Sequence, residues 1–238
     1  RRALREIPRK GLWSAPMVEA CLQSVFHGWD AAALREWVAR DLAPSFPQAH
    51  PGSKALILLP ATVFAAAWQA AAAAWLAGAR PVLKPSRREP VFAKILAESV
   101  RAMAGRHLPI QILSRRPARL DAFAAVAAYG SDETLATFGA GLKRPLTKFG
   151  TMISLGCFDR DALNRRQARE LARRAAVDAM LYDTRGCLSP RAFFVETGGA
   201  VSPETLAELL DGEMKKLDGC WPRRKRLAEG LEMESFWQ

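Results

Sequence analysis

The sequence predicts an α/β fold built on a parallel sheet of the dinucleotide-binding kind. Three observations lead there. Short apolar runs alternate with helical stretches of about 10 to 15 residues from Lys54 onward, the pattern of βαβ units. Glycine and proline punctuate the ends of these runs. Half of the 238 residues are hydrophobic, enough for a sizeable core.

Taken in order, residues 1–50 read as an N-terminal helical region anchored by Trp13, Phe26, Trp29 and Trp37, with Pro44, Pro47 and Pro51 marking its break. Lys54–Leu59 is a strand, Thr62–Leu76 a helix stopped at Gly78, and Arg80–Leu83 a second strand. Glu89–Ala104 is helical, Leu108–Leu113 and Ala124–Ala128 are strands, and Asp132–Phe138 starts a helix. Ile153–Phe158 is a further strand. A long amphipathic helix follows over Asp161–Leu181, with Ala168, Leu171, Ala172, Ala175, Ala179 and Met180 near one face and arginines elsewhere. After Tyr182-Asp183-Thr184-Arg185-Gly186 comes Cys187, then a strand over Ala192–Glu196. Ser202-Pro203 opens a last helix through Leu217, and the tail turns basic and then acidic. The resulting division is 1–50, a dinucleotide-binding domain over 51–158, and a partial domain carrying Cys187 over 159–238.

The formal charge of +11 would suit a polyanionic partner. The arginines are nevertheless scattered, with small concentrations at Arg1–Arg9, Arg165-Arg166 and Arg223–Arg226. No aromatic-interleaved RNA motif, zinc-finger spacing or basic heptad segment accompanies them. A solvated basic surface outranks a nucleic-acid footprint, and a phosphate-rich cofactor such as coenzyme A or NADPH is favoured by the same field. The four cysteines, Cys21, Cys157, Cys187 and Cys220, form no CxxC pair, so neither a metal site nor a disulfide framework is expected and a reducing cytoplasmic setting fits best. The uncharged run Ala61–Ala79 is mostly alanine and contains Gln69, which reads as a helix packed on a sheet and not as a membrane span.

Three segments carry chemistry. Cys187 sits in a turn between helix and strand, where Gly186 permits close approach of another group and Arg185 is expected to favour the thiolate. Lys84 and Ser86 follow a strand directly, placing an ammonium and a hydroxyl where ribose or phosphate binds in parallel α/β sheets. Gly130 and Ser131 lead from a strand into a helix whose amino terminus faces a diphosphate in such folds; Asp132 and Glu133 equally suit simple capping. There is no GxGxxG.

KPSRREPVFAKILAESV (84–100), AAYGSDETLATF (127–138) and above all DTRGCLSP (183–190) resemble the acyl-CoA reductase family typified by the fatty acid reductase of bacterial luminescence, a branch of the aldehyde dehydrogenase superfamily. The resemblance covers roughly 54–197. It implies an aldehyde-dehydrogenase-like fold: a Rossmann-type cofactor domain plus an incomplete catalytic domain. It implies Cys187 as the acyl-accepting nucleophile, Lys84 and Ser86 at the adenosine ribose or its 2′-phosphate, and Gly130 and Ser131 beside the cofactor diphosphate. In the family a long-chain acyl group passes from a thioester, on coenzyme A or on a protein, to the cysteine. NADPH then reduces it to an aldehyde. A homo-oligomer, or a complex with an acyl-transferring enzyme, is the corresponding expectation for partners. Arg87 and Arg88 beside Ser86 suit a 2′-phosphate.

Departures from the family are also legible. The glutamate that activates water in oxidising relatives is missing from Thr147-Lys148-Phe149-Gly150, which favours a reaction that must avoid hydrolysis. The loop asparagine that helps the oxyanion is replaced by Leu59-Pro60-Ala61-Thr62, leaving Thr62 or the Cys187 N–H as candidates. Arg191 stands where a histidine is expected, and His27, His50 and His107 are remote from Cys187 in sequence. Family members also continue well beyond the cysteine. The alternative expectation is therefore a truncated or degenerate relative that binds nucleotide or acyl ligand without turnover.

Overall fold

The computed structural model describes residues 1–10, 12–27, 29–41, 52–140, 142 and 146–223. Pro44, Pro47, Pro51, His50, Arg224–Arg226 and the acidic tail lie outside the described residues.

Helices α1 (Arg2–Arg9), α2 (Ala15–Phe26) and α3 (Ala31–Asp41) come first. Asp30 caps α3 by accepting from the N–H groups of Ala32 and Ala33 at 2.7 and 2.9 Å. Next come β1 (Lys54–Leu58), α4 (Ala66–Leu76), β2 (Arg80–Lys84), α5 (Val91–Ala104), β3 (Gln111–Ile112), β4 (Ala125–Tyr129), α6 (Asp132–Gly139) and β5 (Leu146–Phe149). The remainder is β6 (Ser154–Phe158), α7 (Ala168–Met180), a 3₁₀ turn over Leu181–Thr184, β7 (Pro190–Val195) and α8 (Pro203–Cys220).

The chain divides into two compact units: Arg1–Glu6 with Cys21–Met152, and Ile7–Ala20 with Ile153–Gln238. The first holds a five-stranded parallel sheet in the order β3-β2-β1-β4-β5. Its central strands bury Leu56, Val82, Leu83 and Val126 almost completely, and Leu120, Phe123 and Phe138 close the same core. The alanine-rich α4 packs through Ala66, Ala67, Ala70, Ala71, Ala72 and Ala74. Among the described residues no helix is long and apolar enough to cross a membrane.

In the second unit β6 and β7 form a two-stranded parallel sheet. Phe158 and Val195 point into a core with Leu163, Ala172, Val201 and Leu206. On the other face Leu155 and Phe194 remain exposed.

Several elements differ in extent from the sequence reading, α7, α4 and β3 among them. α7 begins at Ala168 and not at Asp161, because the Asp159 carboxylate accepts from Asp161 and Ala162 N–H groups and the Asn164 side chain accepts from those of Arg166 and Gln167. α4 begins at Ala66 and not at Thr62, the intervening residues being turns after Pro60. The strand read over Leu108–Leu113 shrinks to Gln111–Ile112 at the sheet edge, Pro109 having no N–H to give to a ladder.

Candidate active site

The parallel topology brings four of the five candidate residues to the carboxyl edge of one sheet. β1 lies between β2 and β4, and Leu58 is in register with both Lys84 and Ala128, so Lys84-Ser86 and Gly130-Ser131 leave the sheet on the same edge, on either side of β1. Ligands of open α/β sheets bind at such an edge. The half-buried Lys84 donates from Nζ to the Pro85 carbonyl at 2.9 Å. Burial, and secondarily the charge of Arg87, holds its pKa below the ordinary lysine value. Ser86 Oγ accepts from Arg88 N–H at 3.2 Å and shapes the turn that carries Arg87 and Arg88 into solvent. The buried Glu89 carboxylate accepts from the Val91 and Phe92 N–H groups and so starts α5.

At the second loop, Ser131 is the N-cap of α6: its Oγ accepts from Thr134 N–H at 3.3 Å and shares a hydrogen bond with Thr134 Oγ1 at 2.9 Å. A side chain at Gly130 would meet Thr134 at an ordinary 3.5 Å, so local packing does not require the glycine. Gly150 is different. A Cβ there would lie 2.3 Å from the Asp132 carboxylate, which accepts from Thr151 N–H at 3.2 Å. Tyr129 and Phe149 stack at 4.3 Å where β4 and β5 end.

Cys187 belongs to the second unit. It is exposed, as are Cys157 and Cys220, whereas Cys21 is buried. Its turn is closed by Ser189, whose N–H donates to the Gly186 carbonyl at 3.0 Å and whose Oγ donates to Leu181 O at 3.4 Å. Ser154 at the start of β6 donates from Oγ to the Cys187 carbonyl at 2.6 Å. The unusual backbone of this turn lies upstream of Gly186. Tyr182, Asp183 and Thr184 have φ of 58, 61 and 61°, a left-handed run of three non-glycine residues. Gly186 is needed for space instead, since a Cβ would meet Ser189 Oγ at 2.8 Å. The Arg185 guanidinium pairs with the buried Asp183 carboxylate at 3.5 Å. Arg223 reaches the same carboxylate at 3.6 Å. The sequence reading gives Ser154, Asp183, Ser189 and Arg223 no role in presenting Cys187; only the tolerance of Asp for the left-handed region is a signal.

The family model for acyl-CoA reductase (LuxC) matches residues 16–232, most of the chain. The chain belongs to the acyl-CoA reductase (LuxC) family. No curated protein matches it in sequence. In structure this LuxC-family chain is similar to an NAD-dependent benzaldehyde dehydrogenase from Corynebacterium glutamicum, with 15% identity and a TM-score of 0.63 over 90% of this chain and 50% of that one. It is similar to lactaldehyde dehydrogenase from Escherichia coli, with 18% identity and a TM-score of 0.58 over 91% and 48%. Succinic semialdehyde dehydrogenase from Streptococcus pyogenes, solved with NADP+, gives 16% identity and a TM-score of 0.58 over 85% and 46%. The fold is thus aldehyde-dehydrogenase-like, and the chain spans about half the length of these enzymes.

Proposed function

We propose that the protein carries out NADPH-dependent reduction of a long-chain acyl thioester to an aldehyde, with Cys187 as the acyl acceptor. The observation that carries this reading is the exposed thiol in a constrained turn, within the motif that resembles the family's nucleophile segment. Cys187 Sγ attacks the acyl carbonyl, the donor's thiol leaves, and a new thioester joins the acyl group to the protein. Addition of a hydride to that carbonyl gives the alkoxide of a thiohemiacetal on Cys187, whose collapse breaks the C–S bond and releases aldehyde and the Cys187 thiolate, ready for the next acyl group.

The sheet edge of the first unit fits a dinucleotide. Lys84, with Arg87 and Arg88 in the next turn, supplies cationic donors for a ribose 2′-phosphate, and Gly130 leaves the backbone accessible where β4 ends. Ser131 would keep the α6 amino terminus turned toward a diphosphate by capping it. When bound, the nicotinamide supplies the hydride. β5 reads Leu-Thr-Lys-Phe, without a carboxylate to activate water against the acyl-enzyme, which favours release by reduction over hydrolysis.

A second reading, a relative that binds nucleotide without turnover, is favoured by one observation: the Leu59–Thr62 loop offers no side-chain amide to an oxyanion. Aldehyde production from acyl-CoA and NADPH separates the two. The first reading expects product from the wild type and none from Cys187→Ser; aldehyde formed equally by the variant would remove Cys187 from the reaction.

A further inference from the structure

We infer that Asp183 is a positioning residue for Cys187, its carboxylate acting with Arg185 and Arg223 as a clamp that holds the turn in the conformation presenting the thiol. This rests on the reading of Cys187 as the acyl acceptor. A left-handed residue other than glycine costs about 1 kcal/mol or more and persists only where its surroundings over-determine it. Three in succession precede Arg185, and Thr184, being β-branched, tolerates the region least. Such a run relaxes unless something outside it holds it.

The Asp183 side chain is 8% exposed, too buried for a carboxylate without compensating charge. Arg185 compensates from within the turn and Arg223 from beyond the end of α8, at 3.5 and 3.6 Å. Arg223 is itself steadied by Asp218 at 3.1 Å, so the tether runs back to the last turns of α8. Ser189 and Ser154 fix the other side of the turn through the Leu181 and Cys187 carbonyls. The carboxylate is therefore pinned from a distant segment, and the residues between it and Cys187 have little freedom. Displacing a reacting group by about 1 Å is enough to slow chemistry by orders of magnitude, which makes this clamp consequential for a nucleophile.

Alkylation of the intact chain by iodoacetamide, followed cysteine by cysteine through peptide mass spectrometry, tests the inference. Cys157 in β6 and Cys220 at the end of α8 are exposed in the same unit and report any general loosening. Asp183→Asn and Arg223→Gln should each slow Cys187 on the order of tenfold, with the other two thiols changing less than about twofold. Arg223→Lys, which keeps the charge, should restore part of the lost rate. Arg223 is partly exposed, so Arg223→Gln carries the test if Asp183→Asn does not fold. An unchanged Cys187 rate, or equal changes at all three thiols, overturns the clamp. Failure of wild-type Cys187 to accept an acyl group would overturn the functional reading instead, while leaving this alkylation result to stand.

Discussion

The carboxyl edge of the five-stranded sheet and the turn that carries Cys187 achieve order by different means. At the sheet edge the backbone is regular: β1 and β2, buried on both faces, end in register with β4, α6 is capped by Ser131, and the glycine nearest the proposed diphosphate site is not required by packing. In the cysteine turn the backbone is strained and is held by side chains, with an ion cluster and two serine hydroxyls doing what a ladder does elsewhere. The proposed binding at the sheet edge thus rests on topology, whereas presentation of the thiol depends on a few specific contacts. Substitutions should separate stability from function in one region and couple them in the other.

The largest effect is expected in the sheet. Leu83→Ala empties a fully buried site in β2 and should cost about 2–5 kcal/mol in denaturant unfolding. Phe194→Ser, on the exposed face of β7, should change stability by no more than about 0.5 kcal/mol by the same measurement. A comparable cost at both positions would contradict the burial of Leu83 and the exposure of Phe194. Next in size, Ser131→Ala removes the cap of α6 and should cost about 1 kcal/mol. Gly130→Ala, one residue earlier, should leave the melting temperature nearly unchanged while weakening NADPH binding in a fluorescence titration. If binding survived intact, the loop after β4 would not lie against the cofactor.

Much of this fold is legible in the sequence because its strands are apolar and its stops are punctuated. β1 and β2 fall within a residue of where Lys54–Leu59 and Arg80–Leu83 place them, and Gly78 turns the chain at φ +77°. The late start of α7 was not legible, since Asp161–Gln167 carry no helix breaker and the Asn164 and Asp159 turns declare themselves only through hydrogen bonds. The position of Cys187 in a turn was legible. The left-handed run before it was not, because Tyr and Thr give no sign of positive φ. Nor was the Asp183–Arg223 contact, which joins residues far apart in sequence.

The smallest effect concerns pH. Burial lowers the Lys84 pKa, so on raising pH its ammonium is lost before that of an exposed lysine. The affinity for NADPH should accordingly decline on the alkaline side earlier than an ordinary lysine would dictate, and Lys84→Arg should flatten that decline. An identical profile in wild type and variant would separate Lys84 from cofactor binding.

The central claim is that Cys187 takes an acyl group that a nicotinamide cofactor then discharges. Intact-mass measurement of the chain after incubation with a long-chain acyl-CoA tests it most directly. The predicted result is one acyl adduct, mapped to Cys187, missing from Cys187→Ser, and lost with release of aldehyde when NADPH is added. An adduct carried equally by Cys187→Ser, or no adduct on a folded wild-type chain, would contradict it.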